Sequence, residues 1–201
     1  MEAGLAAIIV HDIKNALSVL EGELRGLTVT PDRERAQQAH GACLGLQDKL
    51  IGFLTLYKAS SQGLVARIDS HCPEDFLHAI VRESSVGKPG ITVSINAHGM
   101  PVIGFFDEVL VGLALEAALQ NAMRFARCTI ELGCRQEDDA LVFSMRDDGP
   151  GIGAKEDTSS TGLGMNLCNA IAEAHHKDGK KGSALLANHA EGGALFQLRL
   201  Y

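Results

Sequence analysis

Apolar residues at Ala36, Ala39, Cys43, Leu46, Leu50, Phe53 and Tyr57 step alternately by three and four. That heptad spacing predicts a long helix, running from the Pro31-Asp32 region to about Ser61, that needs an equally long, nearly parallel or antiparallel partner. A partner stands directly before it. Leu5, Ile9, Ile13, Ala16, Leu20, Leu24 and Leu27 form a second apolar seam of the same period. Thr28, Val29, Thr30, Pro31 and Asp32 separate the two, with β-branched residues and a proline that suit a turn better than a helix interior. Asp32 or Thr30 can cap the second helix, with Pro31 in its first turn. So short a turn makes the pair an antiparallel hairpin. Two helices alone bury little surface, and Leu44, Ile51 and Leu54 add apolar area beside the seam. The expectation is a homodimer that closes a four-helix bundle.

On the first helix, His11 lies about 180° from Leu20 and about 160° from Ile13 at roughly 100° per residue. It therefore points away from the seam. Lys14, Asn15, Ser18 and Arg25 lie within about 60° of it, so a polar stripe runs under the imidazole.

After Ser60, Ser61, Gln62 and Gly63, a linker by composition, the texture changes, and the chain divides into domains 1–62 and 63–201. LVARID at 64–69 alternates and reads as a short strand, and Pro73 with two acids opens a helix to about Ser84. ITVSINA places Ile91, Val93 and Ile95 on one side of a strand. Residues 100–104 read as a further strand, and Phe106 or Asp107 opens a helix to about Phe125. CTIELGCRQEDDALVFSMRDD reads as a hairpin, MNLCNAIAEAHH as a helix, and SALLANHAEGGALFQLRL as a second hairpin turning at Glu191, Gly192 and Gly193. The expected fold class is α+β: the helical hairpin, then an α/β sandwich with a mixed, largely antiparallel sheet.

Composition removes several function classes. The formal net charge of −7 opposes nonspecific nucleic-acid binding, which needs clustered Lys and Arg. No apolar run is long enough to span a bilayer, and LAAIIV is too short for a signal-peptide core, so a cytoplasmic protein is expected. The 5 cysteines show no CxxC spacing and read as buried free thiols. His175 and His176, as helix neighbours, point in different directions and suit a solvated helix end better than a metal site.

Three stretches of the second domain carry chemistry. Asn121 offers a neutral oxygen suited to Mg²⁺, with Arg124 one turn away able to reach phosphate oxygens. Asp147, in RDDGPGI, can accept the exocyclic amine of adenine, while Gly149 and Gly151 let the backbone approach a base. Gly162 and Gly164, in TGLGMNL, stand at a helix start, where backbone amides bind phosphate. Each stretch alone is also a common turn or helix signal; their order and spacing together are specific.

With these residues in view, the chain resembles a two-component sensor histidine protein kinase over nearly its whole length. HDIKNAL at 11–17 resembles the family's phosphoacceptor box, and LQNAMRF at 119–125 its Asn box. RDDGPGI at 146–152 and TGLGMNL at 161–167 resemble its glycine boxes. The resemblance implies a dimeric hairpin and a Bergerat-type ATP-binding domain. It implies that His11 accepts the γ-phosphoryl group of ATP, that Asp12 hydrogen-bonds one ring nitrogen, and that Asn15 helps position water when the regulator is dephosphorylated. Asn121 would hold Mg²⁺ and Asp147 would read adenine. Arg124, Gly149, Gly151, Thr161, Gly162, Leu163 and Gly164 would complete the nucleotide site. The partner implied is a response regulator's receiver domain.

The match departs from the family pattern in places. Ala117 stands where members usually carry a polar residue, Ala16 replaces a common proline, and GAKEDTSS at 153–160 is a short lid without phenylalanine. Only ten residues precede His11, so input is expected from a partner, a ligand on these domains, or a region outside this sequence. These departures keep open an alternative: a dimeric histidine phosphotransfer protein whose ATP-binding-like domain is idle.

Overall fold

The computed structural model describes residues 3–84, 90–153 and 162–201. It divides into two compact units, Met1–Gly63 and Leu64–Tyr201.

The first unit is a pair of helices, α1 (Ala3–Val29) and α2 (Arg33–Gln62). The connection is short, as the β-branched and proline residues require. Thr30 N–H still bonds Gly26 O, and Asp32 takes an extended N-cap conformation. The hairpin closes only part of its apolar surface. Ala39 and Leu56 are buried, yet Leu17 and Leu24 are 53% and 50% exposed, and Leu44, Leu50, Ile51, Leu54 and Tyr57 also face solvent. Leu17, Leu20 and Leu24 line an open groove along α1 with Glu21, Arg25 and Thr28.

The second unit is two-layered. Its elements are β1 (Asp69–His71), α3 (Pro73–Ser84), β2 (Thr92–Asn96), β3 (Gly104–Phe106), α4 (Glu108–Phe125), β4 (Thr129–Glu137) and β5 (Ala140–Asp147). Then come α5 (Leu163–Ala174), β6 (His176–Lys177), β7 (Lys180–Lys181), β8 (Ser183–Asn188) and β9 (Ala194–Leu200). The main sheet has the order β2-β4-β5-β9-β8, with β1-β3 and β6-β7 as separate two-stranded ribbons. β2 runs parallel to β4, and the other neighbours in the main sheet are antiparallel. The sheet is therefore mixed, and the α+β expectation holds.

Strand period builds the core. Ile130, Leu132 and Cys134 on β4 pair with Asp147, Met145 and Phe143 on β5, and Phe143 and Met145 pair in turn with Leu198 and Phe196 on β9. All of these are buried, so the alternate residues share one covered face. Phe76 of α3, Phe106 of β3 and Phe143 meet pairwise with ring centroids 5.0–5.8 Å apart. The polar Asp147 stands at the end of this apolar row, on the same face.

Two local expectations shift. Pairing begins at Asp69, not across residues 64–69, because the Arg67 N–H goes to the Asp107 carboxylate (2.7 Å) instead of to a ladder. The strand expected at 100–104 is displaced to Gly104–Phe106: Met100 N–H closes a turn on Ala97 O, and Pro101 has no N–H to give. Of the cysteines, Cys134 and Cys168 are buried, their thiols pushed up to about 12 by desolvation, whereas Cys43 and Cys128 are exposed. The expectation of five buried thiols fails there.

His175 is not solvated; its exposure is 0%. Its Nδ1 lies 2.8 Å from Ile171 O and its Nε2 accepts the Asp107 N–H at 3.0 Å. Nδ1 is therefore the protonated nitrogen and the ring is neutral. Asp107 in turn caps α4 through Leu110 N–H. Burial holds the His175 pKa below its ordinary 6.5, against the opposing pull of the Ile171 carbonyl and the Asp107 charge. The unfolded chain therefore binds the extra proton first. The stabilisation is complete above pH 6.5 and is lost as pH falls below it towards the folded-state value. Urea titrations from pH 7.5 to 5 are expected to show a smaller acid-side loss for His175→Gln than for wild type.

Candidate nucleotide site

In the first unit, His11 and Asn15 are exposed on α1, with Asn15 Nδ2 3.2 Å from His11 Nδ1. The outward direction expected from the helical wheel is the observed one. Asp12 lies on α1 between them in sequence; its side chain is outside the description.

In the second unit, the chain after β5 is held in place by two carboxylates with different tasks. Asp148 accepts Arg127 N–H at 2.8 Å and Cys128 N–H at 3.0 Å, tying the end of β5 to the segment that leaves α4. Those amides, Cys128 first, draw its carboxyl down to about 2. Asp147 is 6% exposed. Its Oδ1 takes both of its hydrogen bonds, from Gly149 N–H (2.8 Å) and Ala194 N–H (3.3 Å). Among the described residues, Oδ2 accepts none. A buried carboxylate with one satisfied and one open oxygen is a poised acceptor.

Gly149 is where the loop passes the end of α4. A Cβ there would stand 2.6 Å from Phe125 O and 2.8 Å from Asp147 Oδ1, so no larger residue fits. That contact brings the Asp147 loop to the last turn of α4, one turn beyond Asn121. Asn121 is half-buried, and its amide makes no hydrogen bond among the described residues. Arg124 is exposed, its guanidinium 5.0 Å from the Phe125 ring centroid.

The third stretch is placed by helix register. His175 after α5 meets Asp107 before α4, and Cys168 Sγ lies 3.5 Å from Ala114 O. Seven residues forward on α4 match seven backward along the α5 segment, so the helices run antiparallel. Continuing the same register puts the opening turn of α5 beside the turn carrying Asn121. That opening turn has no side-chain cap. Gly162 sits at the N-cap with φ 68°, and Gly162 and Gly164 are exposed while Leu163 is half-buried. Among the described residues no side chain caps the first amides of this helix, a favourable place for phosphate. Thr161 and residues 154–160 of the expected lid lie outside the described residues.

Sequence reasoning missed the β8–β9 turn, which it read only as a turn. Gly193 has φ 83° and packs against the Asp147 carbonyl so closely that a Cβ would overlap it. Asn188 Oδ1 accepts Ile152 N–H at 2.5 Å. Two adjacent glycines, Gly192 and Gly193, were a signal for close approach, but not for what they approach.

Among the described residues there is no group of three or more His, Cys, Asp or Glu side chains able to hold a metal. A hard cation here would rest on the Asn121 amide oxygen, a ligand on the phosphates and water, as Mg²⁺ does. The open Asn121 amide, the open Asp147 oxygen and the uncapped helix start fit a Mg²⁺-nucleotide. No helix among the described residues is long and apolar enough to cross a membrane.

Residues 106–201 match the family described as histidine kinase-, DNA gyrase B-, and HSP90-like ATPase. Histidine kinase AdeS of Acinetobacter baumannii is similar at 18% identity and a TM-score of 0.72, over 94% of this chain and 96% of that one. Histidine kinase ThkA, in its complex with the response regulator protein TrrA, is similar at 17% identity and a TM-score of 0.66, over 98% of this chain and 61% of that one. Full-length ShkA in complex with AMPPNP is similar at 17% identity and a TM-score of 0.63, over 98% of this chain and 45% of that one. No curated protein matches the sequence. The fold expected from the phosphoacceptor, Asn and glycine boxes is thus the fold found.

Proposed function

We propose that this chain, whose residues 106–201 match the histidine kinase-like ATPase family, is a two-component histidine kinase that phosphorylates His11 from Mg²⁺-ATP and passes the phosphoryl group to an Asp of a response regulator. The observation that carries the reading is the half-satisfied Asp147 carboxylate, set against Asn121 and the uncapped start of α5. An adenine amine donates to Asp147 Oδ2, and the phosphates lie against the amides of Leu163 and Gly164 with Arg124 within reach. Asn121 would hold Mg²⁺, whose charge would offset that on the phosphates.

At His11, the proton must sit on Nδ1 if Nε2 is to attack. By resemblance, Asp12 hydrogen-bonds Nδ1–H and holds that tautomer. The Nε2 lone pair then forms a bond to the γ-phosphorus as the bond to the bridging oxygen breaks, and ADP leaves with that oxygen. The regulator's Asp takes the phosphoryl group in a second transfer; ThkA, bound to its response regulator, is the precedent for such a partner. Asn15 serves the reverse task of orienting water for dephosphorylation. The apolar surface left open on the hairpin supports a homodimer closed into a four-helix bundle. Domains 1–62 and 63–201 are then the dimerising phosphoacceptor and the catalytic part, and dependence on ATP makes the cytoplasm the compartment of action.

Ala117 favours a second reading, a phosphotransfer protein with an idle nucleotide domain, because it puts no polar side chain one turn before Asn121. Incubation with Mg²⁺ and γ-labelled ATP separates the two. A kinase gives acid-labile, base-stable label, and Asn121→Ala reduces its rate on the order of a hundredfold through lost metal charge stabilisation. Absence of ATP binding would favour the phosphotransfer protein.

A further inference from the structure

Asn188 lies at the end of β8, outside every motif that marks the site, yet it is bonded to the glycine loop from both sides of its amide. Oδ1 accepts Ile152 N–H at 2.5 Å, and Nδ2 donates to Ile152 O at 3.4 Å. Gly151, with φ 81°, passes so near that a Cβ would stand 2.6 Å from the same Oδ1. The next turn residues complete the clamp. His189 N–H bonds Gly193 O at 3.0 Å, and Ala194 N–H reaches Asp147 Oδ1. One short hairpin turn therefore holds both ends of the segment 147–152: the carboxylate through Ala194 and the loop through Asn188. Ala194 and Gly149 both bond Oδ1, so the carboxylate is held by that oxygen and, among the described residues, Oδ2 is left to accept.

We propose that Asn188 is a positioning residue for base recognition: by clamping Gly151 and Ile152 to the β8–β9 turn it keeps the loop and the Asp147 carboxylate in the one arrangement that accepts an adenine amine. The inference rests on the nucleotide reading above. Asn188 itself touches no substrate; it acts through the loop backbone. Its loss frees the loop to drift from the carboxylate, so a purine can settle without lining up its amine with Oδ2. Selectivity between bases then falls more than triphosphate affinity, which comes from the start of α5.

The test compares ATP with inosine triphosphate, which carries an oxygen in place of the exocyclic amine. Dissociation constants with Mg²⁺ are measured for wild type, Asn188→Ala and Asn188→Asp, the last keeping an oxygen for the Ile152 N–H. Thermal melts without nucleotide are run alongside. Wild type is expected to prefer ATP by about tenfold or more, the value of a hydrogen bond to a charged acceptor. Asn188→Ala should fall to about threefold or less while Asn188→Asp stays near wild type. A general loss of structure would weaken both nucleotides equally and leave the ratio alone. Wild-type preference in Asn188→Ala, or equal loss in both variants, overturns the proposal while leaving ATP binding intact. A wild-type protein that binds ATP no better than inosine triphosphate, or binds neither, overturns the base-reading role of Asp147 and this proposal with it.

Discussion

His11→Ala is expected to abolish acid-labile phosphorylation, with label falling to the level of a reaction without protein. The reason is chemical, not structural. In the proposed reaction the imidazole nitrogen is the nucleophile, and alanine offers no lone pair, so no slower version of the same step remains. His11 is exposed on α1, where alanine is the most favourable helix residue. The variant should therefore melt with wild type and bind ATP with unchanged affinity. Those two controls separate loss of the acceptor from loss of the fold. Label persisting at other than trace level would place the phosphoryl group on another residue and end the kinase reading as stated.

The second large effect is expected far from any motif. Gly193→Ala should destabilise the second unit by about 3 kcal/mol or more, because two penalties fall on one methyl group. A φ of 83° strains any L side chain, and the new Cβ would be driven into the Asp147 carbonyl, which is backbone and cannot swing aside. Relief requires β9 to move from the end of β5, which breaks the Ala194 bond to Asp147. A lower melting temperature, by roughly 10 °C, and a severe loss of ATP affinity should appear together. Gly192→Ala is the control. Its φ is 95°, so it carries the conformational strain, but nothing lies within 4 Å of its Cβ. It should cost only about 1–2 kcal/mol and keep nucleotide binding. Equal behaviour of the two variants would show that the contact with Asp147 carries no weight.

These two positions differ in how they could be found. His11 was legible because helical period alone turns it away from Leu20 and towards Asn15, and period is local. The same holds for the heptads of α2, the alternation along β4 and β5, and the hairpin ending in Glu191, Gly192 and Gly193. Where the sequence reading slipped, a distant group had taken over a backbone donor. Residues 64–68 alternate like a strand, but the Asp107 carboxylate takes the Arg67 N–H. His175 ends an amphipathic helix and reads as solvated, but its partner is an amide 68 residues away. Asn188 carries no signal of its own in the sequence because its partner, Ile152, lies 36 residues back in the chain.

By itself the chain determined its periods, its turns and the three stretches whose side chains suit a nucleotide. Those follow from 3.6 and 2 residue repeats and from the chemistry of single side chains. Only the tertiary structure decided that the Asp147 carboxylate has one oxygen spent and one open, that α4 and α5 run antiparallel so the stretches meet, and that the β8–β9 turn holds the arrangement. Each of these depends on which amide a group finds across the fold, and strand pairing sets that choice at long range, where neighbouring residues carry no record of it.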